Sequence, residues 1–103
     1  MVANRDNGYR VLMFSASWCG KCKDFKDLVD IRCVEHYDVD LDEALANTYD
    51  IAMLPTFVLE LNGREQKRLV QPKDKATVYQ WYKEITGEDL VNKDDDDDDN
   101  DRQ

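Results

Sequence analysis

Strand-length β-rich runs alternate with helically spaced stretches, and an Asn62-Gly63 pair joins two of the runs. Those observations predict an α/β domain in the order β-α-β-α-β-β-α. They imply a four-stranded mixed sheet flanked by helices. Its first βαβ unit is expected to be parallel and right-handed, its closing hairpin antiparallel.

Each element has a local reason. Tyr9 to Ser15 contains the apolar run Val11-Leu12-Met13-Phe14, which predicts a buried central strand. Lys23 to Asp30 predicts a helix, with Cys22, Phe25, Leu28 and Val29 on one stripe and charged residues on the other. Ile31 to Val39 reads as the second strand. Leu41 to Tyr49 suits a short helix with Leu41, Ala44, Leu45 and Thr48 on one side. Thr56 to Leu61 and Glu65 to Val70 flank Asn62-Gly63, the strongest short hairpin signal. Pro72 and Lys73 are expected to open the last helix, which carries Val78, Trp81, Tyr82 and Ile85 at helical spacing, with Tyr79 on the same apolar face. Gly87 is its expected C-terminal cap.

The chain has 103 residues, enough for one core. We expect a polar lead at 1–8, one domain at 9–91 and a disordered acidic tail at 92–103. The formal charge is -9, and residues 92–103 hold seven Asp against one Lys and one Arg. The domain itself is only mildly acidic and has no clustered cationic footprint, so nucleic acid is not an expected partner. No run of about 18 apolar residues exists, which excludes a membrane-spanning helix. Met1 to Arg10 is polar and the next apolar run is short, so no secretory leader is expected and the cytoplasm is the expected compartment. Three cysteines are too few for a disulfide-stapled secreted scaffold.

The chemistry concentrates in Trp18-Cys19-Gly20-Lys21-Cys22. Two thiols two residues apart can close and reopen a disulfide. The strand before and the helix after place Cys19 at a helix N-terminus, where backbone N–H groups and the helix dipole stabilise a thiolate. Cys19 is expected to be the more exposed and attacking thiol, and Cys22, one turn on, the resolving one. Lys21 adds a nearby cation.

Four landmarks resemble the thioredoxin family over about Tyr9 to Gly87. They are Phe14-Ser15-Ala16-Ser17-Trp18-Cys19-Gly20-Lys21-Cys22-Lys23, then Asp38-Val39-Asp40, then Leu54-Pro55-Thr56-Phe57, then Asn62-Gly63. The resemblance implies a minimal thioredoxin fold and a thiol–disulfide oxidoreductase that reduces protein disulfides and needs no metal or organic cofactor. It implies a cis bond at Pro55 facing the disulfide, with the Leu54 backbone open to an extended substrate and Trp18 forming an apolar lip. Electrons would come from a thioredoxin reductase or glutathione, and the protein would act as a monomer. Three departures stand out. The family's extra strand and helix ahead of the active-site strand are not expected here. Its buried acid is replaced by Met13. Its proline inside the cysteine motif is Lys21, which shifts the expected poise toward oxidising. His36 stands where the family often carries a lysine; it reads as a partly exposed strand histidine or as a substitute proton acceptor, and Gly20, Lys21 and His36 are expected to tune the site.

Two other classes compete. Cys19, Cys22, Cys33 and His36 resemble a Cys3His zinc spacing. Against it, Cys33 and His36 fall in an apparent strand at an odd separation, which places them on opposite faces, and zinc leaves Leu54-Pro55-Thr56 without a role. The remaining alternative is a binding module that holds a partner protein without turnover.

Overall fold

The computed structural model describes residues 8–92. The lead at 1–7 and the acidic tail from 93 onward lie outside the described residues. The strands are β1 (Tyr9–Ser15), β2 (Val34–Asp38), β3 (Thr56–Leu61) and β4 (Arg64–Val70). The helices are a 3-10 helix at Lys21–Asp30, α1 (Glu43–Thr48) and α2 (Lys75–Thr86). The sheet order is β2-β1-β3-β4. β1 pairs β2 in parallel and β3 antiparallel, and β3 pairs β4 antiparallel. The expected four-stranded mixed sheet is therefore present. Among the described residues no helix is long and apolar enough to cross a membrane.

The apolar run of β1 occupies the centre because both faces of the sheet are covered there. Val11 and Met13 pack with Phe25, Leu28, Phe57, Leu59, Val78 and Tyr82 on the face under the 3-10 helix and α2. Leu12, Phe14 and Val58 form the opposite cluster with Tyr37, Leu45, Tyr49, Ile51 and Leu54. Phe25 meets Phe57 edge-on at 5.6 Å between ring centroids, a favoured aromatic arrangement.

On that second face the sheet also buries a carboxylate. Glu60 is 2% exposed and accepts from Arg10 Nη2 at 2.8 Å and from the Tyr49 hydroxyl. Arg10 also donates to Glu35 at 3.0 Å. A charge this deep is tolerable because its lone pairs are met by charged and hydroxyl donors.

Several boundaries differ from the sequence reading. The first helix is 3-10 rather than α. Cys19, Cys22, Phe25, Leu28 and Ile31 are all buried at a strict spacing of three. Side chains three apart align in a 3-10 helix, so tighter winding keeps one apolar seam on the sheet. Val29 falls beside that seam and is half-buried. β2 begins at Val34, because Cys33 lies in the preceding turn and Ile31 forms an isolated bridge with Asn92. The opposite-faces argument against zinc loses its premise there. Cys33 instead directs its thiol to the Tyr82 hydroxyl at 3.6 Å. Leu41 is 83% exposed, and α1 turns Leu45 and Ala46 inward. α2 starts at Lys75, two residues later than expected, because Asp74 caps it by accepting from the Thr77 N–H at 3.0 Å. Tyr79 is turned outward, while Val78 and Tyr82 are buried. The Asn62-Gly63 turn has φ of 52° and 86°, the left-handed pair a tight hairpin requires, and Gly87 caps α2 at φ 78°.

Candidate active site

Cys19 and Cys22 are joined as a disulfide, with Cα atoms 5.3 Å apart. The loop between β1 and the 3-10 helix positions them. The Cys19 N–H donates to Ala16 O at 3.1 Å, and Lys23 N–H to Gly20 O at 3.2 Å. Gly20 is the helix N-cap. The Cys22 N–H points at Cys19 Sγ from 3.2 Å, the bond an anionic sulfur at a helix start would receive. With Ala16, the two cysteines form a small apolar cluster against Val39 and Leu54.

Exposure does not separate the two sulfurs, because both residues are 8% exposed. Position does. Cys19 lines a groove of about 630 Å³ with Trp18, Lys21, Val39, Met53, Leu54 and Gln71, and Cys22 does not. Both cysteines line a second cavity of about 290 Å³, together with Met13, Ser15, Lys23, Lys26, His36 and Asp38. The disulfide borders two spaces, a front groove that Cys22 does not line and a back cavity that both cysteines line.

The sequence-predicted residues divide between these two spaces. Trp18 is 68% exposed on the front rim, and its indole Nε1 donates to Asp40 Oδ2 at 2.9 Å. Asp40 N–H in turn donates to Asp38 Oδ1 at 2.8 Å, which fixes the turn after β2. Leu54-Pro55 is a cis peptide. Leu54 lines the front groove, and buried Pro55 follows it. Lys21 and Gly20 lie on the front rim. His36 is exposed on β2, hydrogen-bonded through Nε2 to the Ser15 hydroxyl, and lines the back cavity.

Sequence reasoning missed Gln71, Met53 and Ser15. Gln71 reaches the site only through the β3–β4 hairpin, which returns the chain to Pro55. Its N–H donates to Pro55 O at 2.8 Å and its side-chain Nε2 to Leu54 O at 3.0 Å. No local pattern marks it.

Burial pushes the Cys33 thiol pKa up from its ordinary value, a direction that favours the protonated thiol. Among the described residues no group of three or more His, Cys, Asp or Glu is placed to hold a metal ion.

Comparison with known proteins agrees with this geometry. The Thioredoxin family model matches residues 1–84. Thioredoxin-1 of Caenorhabditis elegans is 38% identical over 60 residues, 52% of this chain and 52% of the relative. Thioredoxin of Chlamydia trachomatis is 30% identical over 79 residues, 70% of this chain and 78% of the relative. The chain spans about half the length of the nematode relative and of thioredoxin H2 of Arabidopsis thaliana, at 52% and 56%. Among solved structures, reduced Schistosoma mansoni thioredoxin superposes with a TM-score of 0.66 at 32% identity, covering 80% of this chain and 83% of that one. A mutant thioredoxin from Halobacterium salinarum gives 0.68 at 28%, covering 81% and 79%. The cysteine pair in the loop after a central strand, the cis Leu54-Pro55 peptide whose Leu54 packs against it and the family match over most of the chain lead to one conclusion: this chain belongs to the thioredoxin family.

Proposed function

We propose that this protein is a thiol–disulfide oxidoreductase that reduces disulfides in proteins through a Cys19/Cys22 dithiol–disulfide cycle, with residues 9–91 as the working unit. One observation carries the reading: of the two linked cysteines, only Cys19 lines the groove that Trp18 and Leu54 also line.

The reduced protein starts the cycle. Cys19 thiolate, favoured by the helix start and the Cys22 N–H, attacks one sulfur of the substrate disulfide. That S–S bond breaks, a mixed disulfide forms, and the departing thiolate takes a proton. Cys22 loses its proton and attacks Cys19 Sγ. The second substrate thiolate leaves and is protonated. Two electrons and two protons have passed to the substrate, and the Cys19–Cys22 bond has formed, the oxidised state seen here. A thioredoxin reductase or glutathione then returns two electrons.

The surroundings have assigned roles. The exposed Trp18 ring and the Leu54 backbone hold an extended segment in the front groove, by contact and strand-like pairing. Pro55 presents that backbone to the disulfide. Lys21 places a cation beside the thiolate, and Gly20 leaves the approach open, since a Cβ built there meets nothing within 4 Å. Met13 cannot accept a proton, so His36, in the cavity behind Cys22, takes the Cys22 proton with Ser15 holding the ring. The protein works as a monomer in the cytoplasm and carries no resident metal or organic cofactor.

The test is insulin reduction with dithiothreitol as electron donor, run on the full chain and on Cys19→Ser. Turnover by the parent and none by the variant supports the reading. A parent that binds insulin without reducing it sinks the reading.

A further inference from the structure

Gln71 follows the last residue of β4, and its φ is 48°. A left-handed backbone favours glycine, and most side chains there meet steric opposition. This chain nevertheless carries a long side chain at that position. The backbone N–H is spent on Pro55 O at 2.8 Å, and the side-chain Nε2 on Leu54 O at 3.0 Å. Both acceptors belong to the cis peptide pair beside the disulfide. The side chain is exposed and lines the front groove with Trp18, Cys19 and Leu54. An unfavourable backbone conformation that delivers a side chain into a reactive groove points from strain to function.

The carboxamide has a chemistry suited to that place. It is planar, with two donors on Nε2 and an acceptor on Oε1. Anchoring Nε2 on Leu54 fixes the plane of the group. An extended segment pairing with Leu54 brings backbone N–H donors alongside it. We propose that Gln71 is a specificity-determining residue that favours disulfides carried in extended polypeptide, its anchored carboxamide accepting a substrate backbone N–H through Oε1. The proposal rests on the oxidoreductase reading above. A small disulfide without a peptide N–H receives no such bond.

The experiment compares steady-state reduction of insulin and of hydroxyethyl disulfide by the full chain, with dithiothreitol as donor. Gln71→Gly removes the side chain and relieves the backbone, so its Tm is expected to rise. Gln71→Asn keeps an amide and tolerates the left-handed backbone but is one methylene short. For both variants, kcat/KM for insulin relative to that for hydroxyethyl disulfide is expected to fall roughly three- to tenfold, the worth of one neutral hydrogen bond. The fall is expected in KM for insulin rather than in kcat. A ratio that stays at the parent's value in both variants overturns the assignment to Gln71. A parent that reduces neither disulfide overturns the oxidoreductase reading, and the role of Gln71 with it.

Discussion

Met13 and His36 are register partners across β1 and β2, and both line the cavity behind Cys22. A thioether and an imidazole from neighbouring strands therefore share a cavity with the cysteine pair. Met13 is 2% exposed. Met13→Asp is expected to cost roughly 1–3 kcal/mol, since a buried carboxyl without a partner pays its desolvation even when protonated. It is also expected to speed mixed-disulfide resolution near neutral pH. Urea unfolding and stopped-flow kinetics measure the two effects, and no change in either would show that residue 13 has no access to the cysteines.

His36→Gln is expected to slow the same step, while Ser15→Ala slows it less by freeing the ring. Pre-steady-state rates check this. A parent-like rate for His36→Gln would assign the Cys22 proton to solvent.

Cys22→Ser is expected to accumulate a mixed disulfide between Cys19 and substrate, visible as an added mass that dithiothreitol removes. Cys19→Ser is expected to form none. The reverse pattern would exchange the two roles.

The Trp18–Asp40 bond ties the cysteine loop to the turn after β2. Trp18→Phe keeps an aromatic rim and loses the donor. Because the bond is exposed, the stability loss is expected below about 1 kcal/mol. Amide exchange is expected to quicken at 16–20, and exchange equal to the parent's would show that the bond does not order the loop.

The Tyr49–Glu60 bond gives the fold an alkaline limit. The bond to the Glu60 carboxylate holds the Tyr49 hydroxyl in its protonated form, and with burial raises its pKa from 10.0 to about 12. The folded value lies above the unfolded one, so the contribution is complete below about pH 10 and is lost as pH rises through about 12. Relative to the parent, Tyr49→Phe is expected to be less stable at neutral pH and to lose less stability between those values. Denaturant midpoints against pH test it, and parallel curves would mean Tyr49 is uncoupled from Glu60.

Much of this molecule was legible in local sequence. β1, β3, the Asn62-Gly63 turn and the Gly87 cap follow from side-chain character and φ preference within a few residues. The cysteine pair and Leu54-Pro55 mark the site by chemistry alone. The winding of the first helix was not legible, because Cys22, Phe25 and Leu28 satisfy a 3.6 or a 3.0 period. Contact with the sheet decides between them, and Ile31 completes the seam. Nor was the start of β2, which depends on Ile31 bridging to Asn92 far along the chain. Glu60 reads as a surface residue until Arg10, 50 positions away, and Tyr49 arrive to meet its charge. The placement of Cys19 but not Cys22 in the front groove, although the two are equal in exposure, and the entry of Gln71 into that groove are likewise set by which strands become neighbours. Short-range propensity names the elements and the reactive atoms. Which groups share a cavity is settled only when distant segments pack.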